Sequence, residues 1–151
     1  MIKKINSAFT MIELLIVISI IGVLASLVMV SYSTSQKQAR DTVRKSDLRQ
    51  YSSSLENYAN KTNGLYPTHT DATGVDASGT LCDDLGLTDC PEDPRNDLDS
   101  TRIYSYQSDS LKYTLWSLLE NSDNYWVVCS TGKSGVITTS GFSVSGGICP
   151  L

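Results

Sequence analysis

The chain opens with an apolar run, "SAFTMIELLIVISIIGVLASLVMV", that covers residues 7–30 and contains a single charged residue, Glu13. About 20 apolar residues at ~1.5 Å each span a hydrocarbon core of about 30 Å, so the run predicts a membrane-spanning helix over residues 9–31. A carboxylate inside such a segment is costly and usually has a partner or a function. Glu13 is therefore the first candidate functional residue.

The pattern changes after this run, because apolar residues now recur mostly at three- and four-residue steps. This spacing places them on one stripe of an amphipathic helix, predicted over residues 32–62. No Gly or Pro interrupts the chain between Gly22 and Gly64, and Gly64 is a natural helix end. The stripe consists of Tyr32, Ala39, Val43, Leu48, Tyr51, Leu55 and Tyr58.

The remaining chain predicts a long connection followed by a small sheet. Residues 65–101 are rich in Gly, Pro, Asp, Ser and Thr and are expected to form a turn-filled loop. Residues 102–151 contain short runs of β-branched and aromatic residues separated by turns, which predict an antiparallel sheet. We predict an α+β fold in which this sheet packs on the amphipathic half of the long helix. The predicted strands are 102–107, 112–120 and 125–130, with two weaker ones at 135–139 and 142–145.

Four cysteines, Cys82, Cys90, Cys129 and Cys149, all follow the apolar run. An even number of cysteines in a small exported domain predicts two disulfides formed in an oxidising compartment. The spacing favours pairing Cys82 with Cys90 and Cys129 with Cys149, although four cysteines allow three connectivities.

Composition narrows the classes of function. The chain has 151 residues and a formal charge of −4, and an acidic exported domain is a poor general nucleic-acid binder. The single histidine, His69, has no clustered partner for catalysis or zinc binding. We therefore expect no enzyme and consider a membrane-anchored enzyme a weak alternative. A secreted binding domain, cleaved near Ala25 and Ser26, is a second alternative.

Residues 1–8, "MIKKINSA", predict a short leader. Lys3 and Lys4 place this end in the cytoplasm under the positive-inside rule, so the rest of the chain points outward. The expected organisation is a leader at 1–8, a transmembrane helix at 9–31 and a globular domain at 32–151. The expected location is the cytoplasmic membrane, crossed once.

A short basic leader followed by "FTMIELLIVISIIGVLASLV" resembles the type IV pilins and the pseudopilins of type II secretion systems. The resemblance implies a pilin-like fold, cleavage between Ala8 and Phe9, where relatives usually have Gly before the cut, and methylation of the new amine. It also implies that Glu13 neutralises the terminal amine of a neighbouring subunit. The implied partners are a prepilin peptidase and methyltransferase, an inner-membrane assembly platform, the lipid bilayer and other copies of the chain.

Assembly into an extracellular helical filament is the function that this resemblance implies, in adhesion, motility or DNA uptake. A pseudopilin that acts in protein export is the alternative. By resemblance to major pseudopilins, the acidic residues Asp93, Asp97, Asp99 and Asp109 are candidate calcium ligands, and no other cofactor is expected.

Basic residues form a further candidate feature just beyond the predicted membrane span. They are interpreted first as a solvated helix face and second as a surface that meets the acidic 83–99 region of a neighbouring subunit. The residues are Lys37, Arg40, Arg44, Lys45 and Arg49.

Overall fold

The computed structural model describes residues 9–71 and 74–151, without the side chains of residues 27–31. The chain divides into two units, residues 1–36 and 37–151, which are described separately below. The helices are α1 (Met11–Lys61), a π-helical turn (Ala77–Leu81) and α2 (Cys82–Leu85). The strands are β1 (Val75–Asp76), β2 (Ser105–Ser108), β3 (Tyr113–Leu118), β4 (Tyr125–Cys129) and β5 (Ser134–Ile137).

The second half of α1 buries only part of the apolar stripe that its spacing predicts, because Tyr32, Ala39 and Val43 at the start of the stripe are exposed. Leu48, Tyr51 and Leu55 are each at most 1% exposed and belong to one core cluster. The helix ends close to the predicted position because Asn63 and Gly64 adopt positive φ angles of 59° and 84°. A residue in the left-handed conformation after the last helical turn is a common helix stop. Here the Gly64 N–H donates to the Ala59 carbonyl at 2.8 Å.

The five strands form one antiparallel sheet in the order β1-β2-β3-β4-β5. Leu115 lies opposite Tyr106 on one neighbour and Val128 on the other, and all three join the core cluster of α1. Because side chains alternate between the faces of a strand, Trp116 and Val127 lie on the opposite face. They belong to a second core cluster. The predicted α+β, pilin-like architecture of a long N-terminal helix and a C-terminal antiparallel sheet is confirmed.

The end of the chain covers this second face, and the strand predicted at 142–145 is wrong. Residues 142–145 form no strand; instead Val144 is buried against the sheet and the Phe142 ring lies 5.8 Å from that of Trp116. The segment supplies apolar side chains to a sheet face that would otherwise be exposed. Residues 142–145 therefore pack on the face of the sheet instead of pairing with a strand at its edge.

The connection at 65–101 is more structured than its composition predicts. It contains β1, the π-helical turn and α2, and the Ala77 N–H donates to the Tyr104 carbonyl at 2.7 Å. Ala77 and Leu81 are fully buried, so two apolar residues hold this segment on the core. Sequence analysis missed this because the apolar residues are few and lie among Gly, Asp and Ser.

The predicted leader and membrane span both lie in the N-terminal region. In the part of the chain that the structure describes, no helix is long and apolar enough to cross a membrane. The predicted span at 9–31 includes residues 27–31, whose side chains lie outside the description, and the predicted leader at 1–8 lies outside it altogether.

Candidate assembly site at the start of α1

Glu13 closes the first turn of α1 together with Thr10. The Thr10 backbone N–H and hydroxyl both donate to Glu13 Oε2, at 2.9 and 2.7 Å, and the Glu13 N–H donates to the Thr10 hydroxyl oxygen at 3.3 Å. This reciprocal arrangement is a capping box, in which the first and fourth residues satisfy each other's free N–H groups. Glu13 is thus held in one orientation by its own helix.

Only one oxygen of the Glu13 carboxylate is used in this way. Among the described residues, Oε1 accepts no hydrogen bond, so it is open to a donor from another molecule. Sequence analysis singled out Glu13 but missed Thr10. The T-x-x-E spacing at residues 10–13 is the signal that identifies the pair.

The described side chains that follow Glu13 in the first unit are exposed on all sides. Leu14, Ile16 and Ile18 are 56, 50 and 59% exposed, and Ile20 and Val23 are 55 and 63% exposed. A contiguous apolar surface of this kind is typical of a membrane or protein interaction site. The surface therefore requires lipid or other chains to cover it.

The polar groups within this surface are satisfied by the helix itself. The Ser19 hydroxyl donates to the Ile16 carbonyl at 2.8 Å, and the Ser26 hydroxyl donates to the Val23 carbonyl at 2.7 Å. Backbone carbonyls accept such bonds without help from water. This part of α1 is therefore compatible with an apolar environment, and Glu13 is its one charged group.

The comparison with known families identifies this end of the chain. Residues 3–29 match the family described as Prokaryotic N-terminal methylation motif, which is the signature of type IV pilin and pseudopilin precursors. The chain carries a prepilin signature. No curated protein and no solved structure matches the chain.

The prepilin signature indicates a membrane-anchored, structural protein of the pilin type. It implies processing by a prepilin peptidase and assembly into pilus-like filaments. Of the two residues at the expected cut, Ala8 lies outside the described residues. Phe9 is 83% exposed and immediately precedes the Thr10–Glu13 capping box.

The basic residues beyond the first unit of this prepilin-type chain include a buried arginine. Arg44 is fully buried, and its Nε and Nη2 atoms donate to the two carboxylate oxygens of Asp93 at 2.6 and 2.7 Å. Its Nη1 atom lies 2.9 Å from Asp41 Oδ1 and 2.7 Å from Glu120 Oε1. The interpretation of Arg44 as part of a solvated or inter-subunit face is wrong, because carboxylates of its own chain surround it.

Arg40 extends the same cluster. Its Nε and Nη2 atoms donate to Glu120 at 2.8 and 2.6 Å, and this contact, with a further hydrogen bond from Arg44, lowers the pKa of Glu120 to about 2. Burial alone would lower the pKa of Arg44, but its hydrogen bonds to Asp93 and Glu120 raise it. Asp41 completes the cluster by accepting the Glu120 N–H at 2.8 Å. The cluster ties α1 to the turn after β3.

The other basic residues occupy different surroundings. Lys45 lies 4.9 Å above the Trp126 ring, in cation–π geometry. Lys37 and Arg49 are exposed, as predicted for a solvated face.

The four candidate calcium ligands have separate local roles. Asp93 pairs with Arg44, Asp99 accepts the Thr101 N–H at 3.1 Å, and Asp109 accepts the Lys112 N–H at 2.9 Å. Asp97 is exposed. Within residues 9–71 and 74–151, no group of three or more His, Cys, Asp or Glu side chains is arranged to hold a metal ion. The calcium site stays a prediction, with Asp93 already committed to an arginine.

The cysteines form two disulfides, Cys82–Cys90 and Cys129–Cys149. This is the pairing that the spacing favours. The first disulfide encloses α2, and the second fastens the C-terminal segment to β4. Each therefore fixes a segment that has little regular structure of its own.

Proposed function

We propose that this chain is the structural subunit of a type IV pilus-like filament. It enters the cytoplasmic membrane as a precursor, is cleaved after Ala8 and assembles through its apolar N-terminal helix into an extracellular filament. The observation that carries the proposal is the methylation motif at residues 3–29, in a chain whose other unit is a folded helix-and-sheet domain. Adhesion, motility or DNA uptake are the roles proposed for the filament.

Cleavage creates a new amine on Phe9, four residues before Glu13. In the proposed filament, Glu13 Oε1 of one subunit accepts a hydrogen bond from the Phe9 amine of its neighbour, while Oε2 keeps its bonds to Thr10. A buried carboxylate without a partner is costly, so a subunit in the wrong register is penalised. The charge pair thus selects the correct docking position.

The apolar helices pack around this pair to form the proposed filament core. Gly22 has no atom within 4 Å of where a Cβ would lie, and Ala25 and Ser26 follow it one turn later. Small residues let helices approach closely in an apolar environment. The Ser26 hydroxyl is already bonded to its own helix, so close approach leaves no polar group unsatisfied.

A pseudopilin of a type II secretion system is the second candidate, because pilin and pseudopilin precursors share this motif. Deleting the chain separates the two functions. Loss of surface filaments seen by electron microscopy supports the pilus, whereas loss of protein secretion from cells without such filaments supports the pseudopilin.

Two substitutions of Glu13 test the assembly mechanism. Gln retains an oxygen that can cap Thr10 but carries no charge, whereas Ala removes both. We expect Glu13→Gln and Glu13→Ala to fractionate with membranes as the wild type does and to yield few sheared filaments. Normal filament yield from Glu13→Gln would show that capping, not charge, is the function of this residue.

Mass spectrometry of the N-terminal peptide from sheared filaments tests processing. A peptide that begins at Phe9 with a methylated amine is the expected result. A peptide that begins near Ser26 would indicate a secreted soluble domain, and an intact Met1 would indicate a plain membrane anchor. Either of these outcomes would overturn the proposal.

A further inference from the structure

A groove of about 600 Å³ lies between the C-terminal turns of α1 and the segment around α2. Tyr58 and Lys61 line it from α1, and Asp83, Leu85 and Leu87 line it from the other side. We call these five residues the α2 groove. Its walls combine an aromatic ring and two leucines with one lysine and two carboxylates, Asp83 and Asp84, so acidic groups outnumber basic ones and the groove suits an apolar ligand that carries a positive charge.

The wall of the α2 groove is fixed in place. The Cys82–Cys90 disulfide encloses it, and the Leu87 N–H donates to the Cys82 carbonyl at 3.1 Å. Asp84, which also lines the groove, pairs with His69. Among the described residues Asp83 forms no ion pair, so it is the carboxylate available to an incoming cation.

An exposed apolar patch lies at the turn between β2 and β3. Leu111 is 68% exposed and Ile148 is 59% exposed, with the exposed Lys112 next to Leu111 in sequence. We call Leu111, Lys112 and Ile148 the hairpin knob. Asp109 Oδ1 fixes the turn by accepting the N–H groups of Leu111 and Lys112 at 3.0 and 2.9 Å.

The two parts of the hairpin knob are held together by Gly147. Thr114 Oγ1 donates to the Gly147 carbonyl at 3.0 Å, and Gly147 packs so closely on Lys112 that a Cβ there would lie 2.2 Å from the Lys112 carbonyl oxygen. Ile148 is therefore kept beside the hairpin turn. The hairpin knob is a preformed surface whose parts do not need to be ordered on binding.

The hairpin knob and the α2 groove are two separate surfaces of the domain that are connected through His69. The His69 ring pairs with Asp84 at the groove, and its backbone bridges to Ser108 beside the hairpin turn. At the start of β3, beside the hairpin knob, the Tyr113 hydroxyl contacts Ser52 at 2.8 Å and Glu56 at 3.2 Å. The α2 groove is lined on α1 by Asn57, Tyr58 and Lys61, so the two surfaces use different residues of the helix.

We propose that the hairpin knob of one subunit docks into the α2 groove of a second copy of this chain. Leu111 and Ile148 cover the apolar wall of the groove, and Lys112 pairs with Asp83. Contact between two different surfaces of identical molecules is heterologous and extends into an open helical array. The inference rests on the proposed filament and assigns a contact between its globular domains.

Charge distinguishes the hairpin knob from the other strongly exposed leucine of the domain. Leu98 is 79% exposed, but it lies between Asp97 and Asp99. These carboxylates would approach Asp83 with like charge, which disfavours docking. Lys112 instead places a positive charge beside Leu111, and Asp109 already accepts two backbone N–H groups of the same turn.

Cross-linking in filaments tests the contact. All four native cysteines are paired, so a short bis-maleimide reacts only with introduced thiols. We expect the full chain carrying Leu111→Cys and Leu87→Cys to give a ladder of covalent multimers after filaments are sheared and treated. Each single substitution, and the matched pair Leu98→Cys with Leu87→Cys, is expected to remain without a ladder.

The results of this experiment can reject the docking contact and the filament proposal separately. Wild-type filaments with no ladder from the 111–87 pair, or with an equal ladder from the 98–87 pair, would reject the docking contact and leave the filament proposal intact. The absence of any wild-type filament would reject the filament proposal, and the contact with it.

Charge reversal provides a second test. We expect Lys112→Glu and Asp83→Lys to lower the yield of sheared filaments several-fold each, and the double variant to recover much of that yield. Lys133→Glu, at an exposed position in the β4–β5 turn, is the control and is expected to assemble normally. A double variant no better than the single ones would reject the Lys112–Asp83 pair.

Discussion

The two halves of α1 differ in the exposure of their apolar side chains. In the first unit, Leu14, Leu15 and Ile16 are half or more exposed, and a lone carboxylate at the helix start is held by Thr10. In the second unit, Leu48 and Leu55 are fully buried under the sheet of the same chain. The described apolar side chains of the first segment are exposed, whereas the second segment buries part of its apolar stripe within the chain.

The charged groups of the two units also differ in how far partners within the chain satisfy them. Within residues 9–71 and 74–151, one carboxylate oxygen of Glu13 accepts no hydrogen bond, whereas Arg44 is fully buried and contacts three carboxylates of its own chain. Mutations in the second unit should therefore reduce the stability of the fold. Mutations in the first unit should reduce assembly and leave the fold intact.

The largest loss of stability is expected from Arg44→Ala. The substitution leaves Asp93 buried without its arginine and removes one contact each from Asp41 and Glu120, and breaking a buried ion pair in this way costs about 3–5 kcal/mol. Urea unfolding of the detergent-solubilised chain, followed by tryptophan fluorescence, measures the change. The exposed Arg49→Ala is the control, with an expected change of less than about 0.5 kcal/mol. Equal effects of the two substitutions would show that the buried cluster does not stabilise the domain.

The next largest effect tests the apolar halves of α1 directly. Leu55→Ala creates a cavity in the core and is expected to cost about 3 kcal/mol in the same measurement. Leu15 is 62% exposed, so Leu15→Ala should leave the free energy of unfolding nearly unchanged and lower the yield of filaments. A clear loss of stability from Leu15→Ala would contradict the division between the two halves.

A smaller effect is expected from acid. The folded-state pKa of Glu120 is lowered to about 2 from 4.5, so its stabilising contribution is complete above about pH 4.5 and is lost as the pH falls toward 2. One pKa unit corresponds to about 1.4 kcal/mol, so a pKa lowered from 4.5 to about 2 corresponds to a contribution of roughly 3 kcal/mol. Burial raises the pKa of Asp47, which works in the opposite direction.

Glu120→Gln isolates the Glu120 contribution. The variant should be less stable than the wild type at pH 6, and the difference should shrink as both are titrated from pH 4.5 toward pH 2. Unfolding free energies measured at each pH provide the comparison. A difference that stays constant over this range would assign the effect of the substitution to packing instead of charge.

The elements with a strong repeat were predictable from the sequence. The three- and four-residue spacing located the buried face of α1, and Gly64 marked its end within a few residues. The β-branched and aromatic runs located β2, β3 and β4, although each observed strand is shorter than predicted. Tyr106 and Tyr113, which lie in two of these runs, are at most 1% exposed.

The features that were predicted wrongly or not at all share one physical cause, because each depends on contacts between residues far apart in the sequence. β1 is a strand of two residues that exists because β2 offers an edge, and residues 142–145 have strand-like composition but cover a sheet face. Arg44 lies four residues before Leu48 and seven before Tyr51, on the buried face of α1, but its charge and the polar segment around it indicated a solvated position. Only the approach of Asp93, 49 positions away, makes it a buried residue.

The sequence by itself determined the N-terminal signature, the long helix with two kinds of surface and the number of cysteines. These features depend on side-chain order within a few turns of one segment, where spacing translates directly into geometry. Tertiary structure decided which charges pair within the chain, which apolar face the C-terminal segment covers and where the hairpin knob and the α2 groove lie. Those outcomes depend on residues far apart in sequence, because burial removes the water that would otherwise satisfy each charge separately.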